Sequence, residues 1–352
     1  MKRISRRGEL ASILSTILIA MTGIALIESK LKEQPSTSED LILTPEEIRS
    51  LPPDTIPVVI LRELKAYDSK SLPYLVLSLV LERSGAKYAL GYSSAIIDSP
   101  TSLHYLASSI EPSPSNPAGL TIGLYGAIEA SQPGVKRIDI PAAGGLLGLR
   151  VLCVNRRHQE RFSKLQDLTE LKPYVAVQGV GWGDADVLRS NGLQTYEIDP
   201  RSYLSLIDQD RVDYLPRSLT SVEEECGPKA RDLAYRNIAL DGHLLLAYPN
   251  AWTFAINQQN TALYEAITRG FERAYADGSL KKLLQDNFFS PWLKKHLDLP
   301  NRRLLVLASP QTSAVRKAIP QQFWFVPWDA IDSGAVQSGK DLCKRNFFMP
   351  LC

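Results

Sequence analysis

Val175-Ala176-Val177-Gln178-Gly179-Val180-Gly181-Trp182-Gly183-Asp184-Ala185-Asp186-Val187-Leu188-Arg189-Ser190 is followed by Asn191-Gly192-Leu193-Gln194-Thr195-Tyr196-Glu197-Ile198. Val175 to Val177 reads as a short apolar strand, Asp184 to Ser190 as a helix and Gln194 to Ile198 as a second strand. Strand, helix and strand in so short a span form the repeating unit of a parallel α/β sheet. The rhythm continues downstream, with a helix from Tyr203 to Asp208 and a strand from Val212 to Leu215.

The same alternation runs through the preceding chain. Val58 to Leu61 reads as a strand, and Ser71 to Arg83 as a helix with Leu75, Leu79 and Val80 at helical spacing, stopped by Gly85. Tyr88 to Tyr92 is a strand, Ser102 to Ser109 a helix and Leu120 to Tyr125 a strand, with Pro112, Pro114 and Pro117 forming a loop before the last. Gly148 to Val154 is a long apolar strand that leaves this first lobe. Leu244 to Ala247 and Trp252 to Ile256 come later, and the second of these starts the return. Thr261 to Ala276 is a long amphipathic helix, and another follows around Leu280 to Asp286.

The fold class expected is therefore α/β, with two lobes joined by two crossover strands. The divisions expected are 55–150 for the first part of lobe 1, 151–250 for lobe 2 and 251–300 for the return to lobe 1. Residues 301–352 break the rhythm. They hold a strand-like Leu304 to Leu307 and an aromatic run, Phe323-Trp324-Phe325 with Trp328, and are expected to wrap the lobes. The length of 352 residues suits two lobes better than one core. Hydrophobic content of 44% and charged content of 22% fit a soluble globular chain. The 40 basic and 38 acidic side chains nearly cancel, which gives no basis for nucleic-acid binding.

The N-terminus carries Lys2, Arg3, Arg6 and Arg7 ahead of an apolar stretch from Leu10 to Ile27, the order of an export signal. Cleaved signal and retained membrane anchor remain open for residues 1–27, and both place the chain in the periplasm. Residues 28–54, with Pro35, Pro45, Pro52 and Pro53, read as a spacer. Cys343 and Cys352 share a polar tail segment and are expected to pair in an oxidising compartment. Cys153 lies in an apolar strand and is expected to be a buried free thiol. Four scattered His and no CxxC motif argue against a metal site, and no cofactor is expected.

Several local motifs, in order, resemble those of type-2 periplasmic solute-binding proteins that serve ABC importers. Leu165-Gln166-Asp167-Leu168 resembles the turn opening their second lobe, and Val177 to Asp184 their strand-to-helix ligand loop. Asp210-Arg211-Val212-Asp213-Tyr214 and Ala274-Tyr275-Ala276-Asp277-Gly278-Ser279-Leu280 are similar to two further family segments. The branch resembled is the polar-amino-acid one, within it a divergent group marked here by Gly145 to Arg150 and Asp213 to Arg217. The resemblance implies capture of a small solute in a cleft between lobes, no catalysis, and an ABC permease as partner. The alternative on the same fold is a membrane-tethered sensor that reports occupancy to a signalling partner. A hydrolase or transferase would need a nucleophile and base, and no such pair stands out.

The candidate ligand residues are Gly179, Gly181, Trp182, Gly183, Asp184, Arg150, Arg217 and Tyr92. Backbone N–H groups at a strand-to-helix loop carry partial positive charge and suit an anionic group. Trp182 offers a stacking face, against the plainer reading of a glycine-rich connection capped by Asp184. Arg150 and Arg217 suit carboxylate or phosphate capture, against an ion pair with Asp213 or with Glu223 or Glu224. Glu223-Glu224-Glu225 reads as a solvated helix face. Tyr92 is expected on the facing wall of lobe 1, with core packing as the alternative. In the family, an Asp just after the strand holds the ligand's ammonium. Here that stretch carries Arg217, which implies an anionic or carbonyl-bearing ligand in place of a standard amino acid.

Overall fold

The computed structural model describes residues 41–62, 68–129, 132–228, 230 and 235–352. The expected export segment, residues 1–27, lies outside the described residues. In lobe 1, α1 (Pro45–Ser50), β1 (Ile56–Arg62), α2 (Leu72–Ser84), β2 (Tyr88–Ile96), α3 (Ser99–Ser108), β3 (Ile122–Gly126) and β4 (Val135–Pro141) follow one another. Lobe 2 holds β5 (Leu149–Asn155), α4 (Gln159–Phe162), α5 (Leu168–Leu171), β6 (Val175–Gly179), α6 (Asp184–Ser190), β7 (Gln194–Ile198), α7 (Tyr203–Asp208), β8 (Tyr214–Ser218), α8 (Val222–Cys226), β9 (Ile238–Leu240) and β10 (Leu244–Ala247). The chain returns through β11 (Trp252–Asn257), α9 (Thr261–Ala276), α10 (Ser279–Phe288) and α11 (Pro291–Leu297). It ends in β12 (Arg303–Val306), α12 (Pro310–Ala318), α13 (Trp328–Asp332) and α14 (Gly339–Cys343).

The sheet of lobe 1 has the strand order β2-β1-β3-β11-β4, and that of lobe 2 contains β7-β6-β8-β5-β10. In each, the first three strands pair in parallel, and the fourth runs antiparallel to both neighbours. The fourth strand of each lobe is the one that arrives from the other lobe. The two lobes are thus one topology used twice, a repeat that is not visible by eye in the sequence. In such open sheets the carboxyl ends of the parallel strands form the ligand crevice. Those ends are Arg62, Ile96 and Gly126 in lobe 1, and Gly179, Ile198 and Ser218 in lobe 2.

Buried side chains explain why these elements form. Helix α2 starts at the Ser71 cap, whose hydroxyl accepts the N–H of Tyr74, and buries Val76, Leu77, Val80 and Leu81 on one face. It crosses α9 at Gly270, where an added Cβ would stand 1.9 Å from the carbonyl oxygen of Val80. Only glycine allows that approach. The fully buried run Leu149 to Asn155 is the central strand β5 expected of a lobe crossover.

Three expectations need correction. The spacer does not extend to residue 54. Thr44 and Glu47 close a capping box on α1, Leu41 is buried, and the N–H of Leu43 bonds to the carbonyl of Tyr92. Cys153 is not a free thiol but is bonded to Cys226, with Cα atoms 5.6 Å apart. The Glu223–Glu225 run is not a solvated face, since Glu225 turns inward to Arg217 and Glu223 accepts from Ser290. Cys343 and Cys352 are bonded, with Cα atoms 5.9 Å apart. The final fifty residues lie across both lobes. β12 extends the lobe 2 sheet in parallel beside β10, while Phe323 and Phe325 pack on Tyr275 of α9 in lobe 1. No helix among the described residues is long and apolar enough to cross a membrane.

Candidate functional site

Where the strand ends of the two lobes meet, a lobe 1 loop reaches the start of α6. The turn after β3 sets Ile128 and Glu129 against Gly183, where an added Cβ would stand 2.4 Å from the Ile128 side chain. Glu129 Oε1 accepts the N–H of Gly183 at 3.1 Å. Its own N–H bonds to the carbonyl of Gly126 at 2.8 Å, which fixes the turn. Burial and the neighbouring charge of Asp184 push the Glu129 carboxyl up to about 7, against the pull of the Gly183 N–H and Arg150.

Asp184, the first residue of α6, does not cap its helix. Its Oδ1 accepts from Arg150 at 2.6 Å and from the hydroxyl of Tyr248, with the Asn250 amide at 3.5 Å. Arg150 and Asp184 are both nearly inaccessible, at 2% and 5% side-chain exposure. A buried guanidinium can persist only with such a partner. Burial works against the charge of Arg150, and Asp184 outweighs it. Arg150 reaches this spot as the second residue of β5, and Tyr248 follows β10, so both crossovers feed the same cluster.

Arg217 lies inside β8 rather than at its end, opposite Val151 of β5. Its partner is Glu225 on α8, in a two-pronged ion pair, and neither Asp213, Glu223 nor Glu224 fills that role. Asp213 pairs instead with Arg161 and accepts the N–H of Val175. The Arg217 guanidinium stands 4.9 Å from the ring of Trp182 and 5.5 Å from that of Tyr203, whose hydroxyl also bonds to Glu225. Burial disfavours its charge, and Glu225 more than restores it.

Two of the eight expected residues are placed elsewhere. Tyr92 is fully buried in the lobe 1 core, stacked on Tyr74 at 5.8 Å, with its hydroxyl on Ser71 and on the carbonyl of Asp68. Its ring is inaccessible, so the core-packing alternative holds for Tyr92. Gly181 is exposed, and its N–H is held by Glu197 of the same lobe at 3.1 Å. Gly179 packs under Trp182. The loop therefore presents one N–H to lobe 1, that of Gly183. Sequence reasoning missed Glu129 and Tyr248. A lone acid after a strand carries no motif, and the Tyr248 contact depends on the crossover.

No family model matches the chain, and no curated protein matches it. Solved structures do. One comes from work on glutathione import and the cystine ABC importer of Streptococcus mutans, at 15% identity and a TM-score of 0.47, covering 67% of this chain and 95% of that one. A periplasmic His/Glu/Gln/Arg/opine family-binding protein from Silicibacter pomeroyi, in complex with lysine, has 8% identity and a TM-score of 0.45, over 67% and 98%. An ancestral arginine-binding protein bound to glutamine has 14% identity and a TM-score of 0.44, over 67% and 99%.

Proposed function

We propose that the chain is an exported solute-binding protein of the type-2 periplasmic kind, which captures a small polar solute between its lobes for an ABC permease. The observation that carries the proposal is the Glu129 carboxylate on the Gly183 N–H, where the strand ends of two lobes of identical topology converge. A carboxylate from the opposite lobe occupies the place that a ligand's anionic group would take. Gly183, Trp182, Asp184, Arg150 and Arg217 form the lobe 2 wall of that place. Glu129 then acts as a resident competitor, and an anionic solute displaces it to reach the same N–H. Two disulfides suit the oxidising compartment to which the N-terminal segment points.

Isothermal titration with a panel of mono- and dicarboxylates tests this. Replacing Glu129 with Gln removes a like charge from the anion's site. The expected outcome is binding of one class of organic acid that tightens by about tenfold in E129Q, or roughly 1.4 kcal/mol. Tight binding of a cationic amino acid that is lost in E129Q would contradict the anionic reading. It would assign Glu129 as the anchor of an ammonium group.

A further inference from the structure

We infer that the C-terminal extension is a strap that fixes the angle between the lobes, so that the hinge does not rotate freely as solute comes and goes. The inference concerns the crossovers and does not depend on any solute.

The two crossovers, residues 142–148 and 248–251, run side by side. The N–H of Tyr248 bonds to the carbonyl of Gly148 at 3.0 Å, and the N–H of Ala142 to that of Trp252 at 2.8 Å. Gly144 and Gly145 adopt left-handed φ values of 56° and 88°. Three glycines in so short a connection would by themselves make a compliant hinge. The extension covers each of them. An added Cβ would stand 2.0 Å from the Phe325 ring at Gly144, 2.5 Å from Trp324 at Gly145 and 2.9 Å from Trp328 at Gly148. The N–H groups of Phe325 and Val326 both bond to the carbonyl of Gly144, at 2.9 and 3.2 Å. Trp328 is fully buried there, edge-on to Trp324 with centroids 6.0 Å apart.

The same extension is fastened to both lobes. On lobe 2, β12 pairs with all four residues of β10, and Ala308 exchanges two hydrogen bonds with Asn191 at the end of α6. On lobe 1, the ring of Tyr275 lies 5.0 Å from Phe323 and 5.1 Å from Phe325, and its hydroxyl bonds to Pro141 just before the first crossover. Phe347 stacks on Phe325 at 4.5 Å and meets Phe289 of lobe 1 at 5.3 Å. The Cys343–Cys352 bond closes the loop that carries Phe347. Rotating one lobe against the other would therefore pull aromatic rings out of a packed hinge. Such packing does not deform continuously.

The experiment introduces a ketone-bearing amino acid into the full chain at the exposed positions Glu111 in lobe 1 and Lys164 in lobe 2 and couples a hydroxylamine-bearing nitroxide to each, which spares the disulfides. Pulsed dipolar distances are compared in the wild type and in Phe325→Ala, with amide exchange read in both. The strap predicts one narrow distance in the wild type. In F325A it predicts a broadened or split distribution, and exchange about tenfold faster in 142–148 and 248–251. Two distances in the wild type would overturn it. So would a variant whose distance and crossover exchange match the wild type while only the tail exchanges faster. Should F325A not fold, Phe325→Leu gives the same comparison, and the wild-type distance stands without any variant.

Discussion

Glu129 of lobe 1 accepts the backbone N–H of Gly183 in lobe 2, at 3.1 Å across the junction of the lobes. The contact joins the end of the third lobe 1 strand to the loop that opens α6. Around it, each cation of the junction has its own carboxylate: Arg150 has Asp184, and Arg217 has Glu225. Glu129 is the acid left with a backbone partner in place of a cationic one, and its elevated titration follows from burial, with the charge of Asp184 adding to it.

Glu129 makes the fold sensitive to pH in a stated direction. Its carboxyl titrates at about 7 in the folded chain, chiefly through burial, with Asp184 adding to the shift. In the unfolded chain a Glu titrates near ~4.3. The folded state binds the proton more tightly, so this residue's contribution to stability falls as pH rises through that window. E129Q is expected to match the wild type at pH 4 and to exceed it at pH 8 by roughly 1–3 kcal/mol. Urea unfolding at the two pH values measures the difference, and an equal effect at both would remove the assignment.

Arg217 and Glu225 form a pair with 10% and 12% side-chain exposure. Removing one partner leaves a buried charge. Arg217→Ala is expected to cost about 3–5 kcal/mol, whereas the double change Arg217→Met with Glu225→Leu should come out near the wild type. Denaturant midpoints of the three proteins decide the point. A single variant within ~1 kcal/mol of wild type would mean that the ion is not buried in solution.

Much of the fold is legible in the chain because its strands and helices obey their periods. Asp184 to Ser190 and Gln194 to Ile198 match their elements at both ends, and Leu149 to Asn155 is buried throughout and apolar apart from Arg150 and Asn155, because both faces of β5 are covered. The sequence also holds a signal for α1 in Thr44-Pro45-Glu46-Glu47, where a capping residue and a proline precede two acids. The spacer reading passed over it. The site was less legible. Glu129 reaches Gly183 over 54 positions, and Cys153 reaches Cys226 over 73. The first depends on how the lobes are set against each other and the second on how α8 packs on β5 within lobe 2, and no local pattern encodes either. Tyr92 has a polar tip like any ligand residue, and only the position of α2 turns it into the core.

Glycines at the junction are not equivalent. At Gly148 an added Cβ would stand 2.1 Å from the carbonyl oxygen of Tyr248, a backbone atom that cannot swing aside, while at Gly181 it would meet nothing. Gly181→Ala is expected to cost only its left-handed backbone, about 1–2 kcal/mol. Gly148→Ala should cost more, by roughly 1–3 kcal/mol of crossover displacement. Thermal unfolding that ranks them the other way would contradict the packing of the crossovers.

The two disulfides close loops of different length, with separations of 73 and 9 residues. Chain entropy gives about 4 kcal/mol for the longer and about 3 for the shorter. Cys153→Ala with Cys226→Ala should therefore lower stability more than Cys343→Ala with Cys352→Ala. Only the second pair should release the loop that holds Phe347 on Phe325. Urea unfolding without reductant ranks the pairs, and peptide-resolved amide exchange over residues 343–352 reads the release.

The most direct test of solute capture between the lobes is the amide resonance of Gly183. In nitrogen-15-labelled full-length protein, a carboxylate that binds should shift this resonance in a saturable way. Half-saturation should come at lower concentration in E129Q than in the wild type. Calorimetrically detected binding that leaves the Gly183 amide unmoved in both proteins would contradict the account, as would a panel of small polar acids that leaves both spectra unchanged.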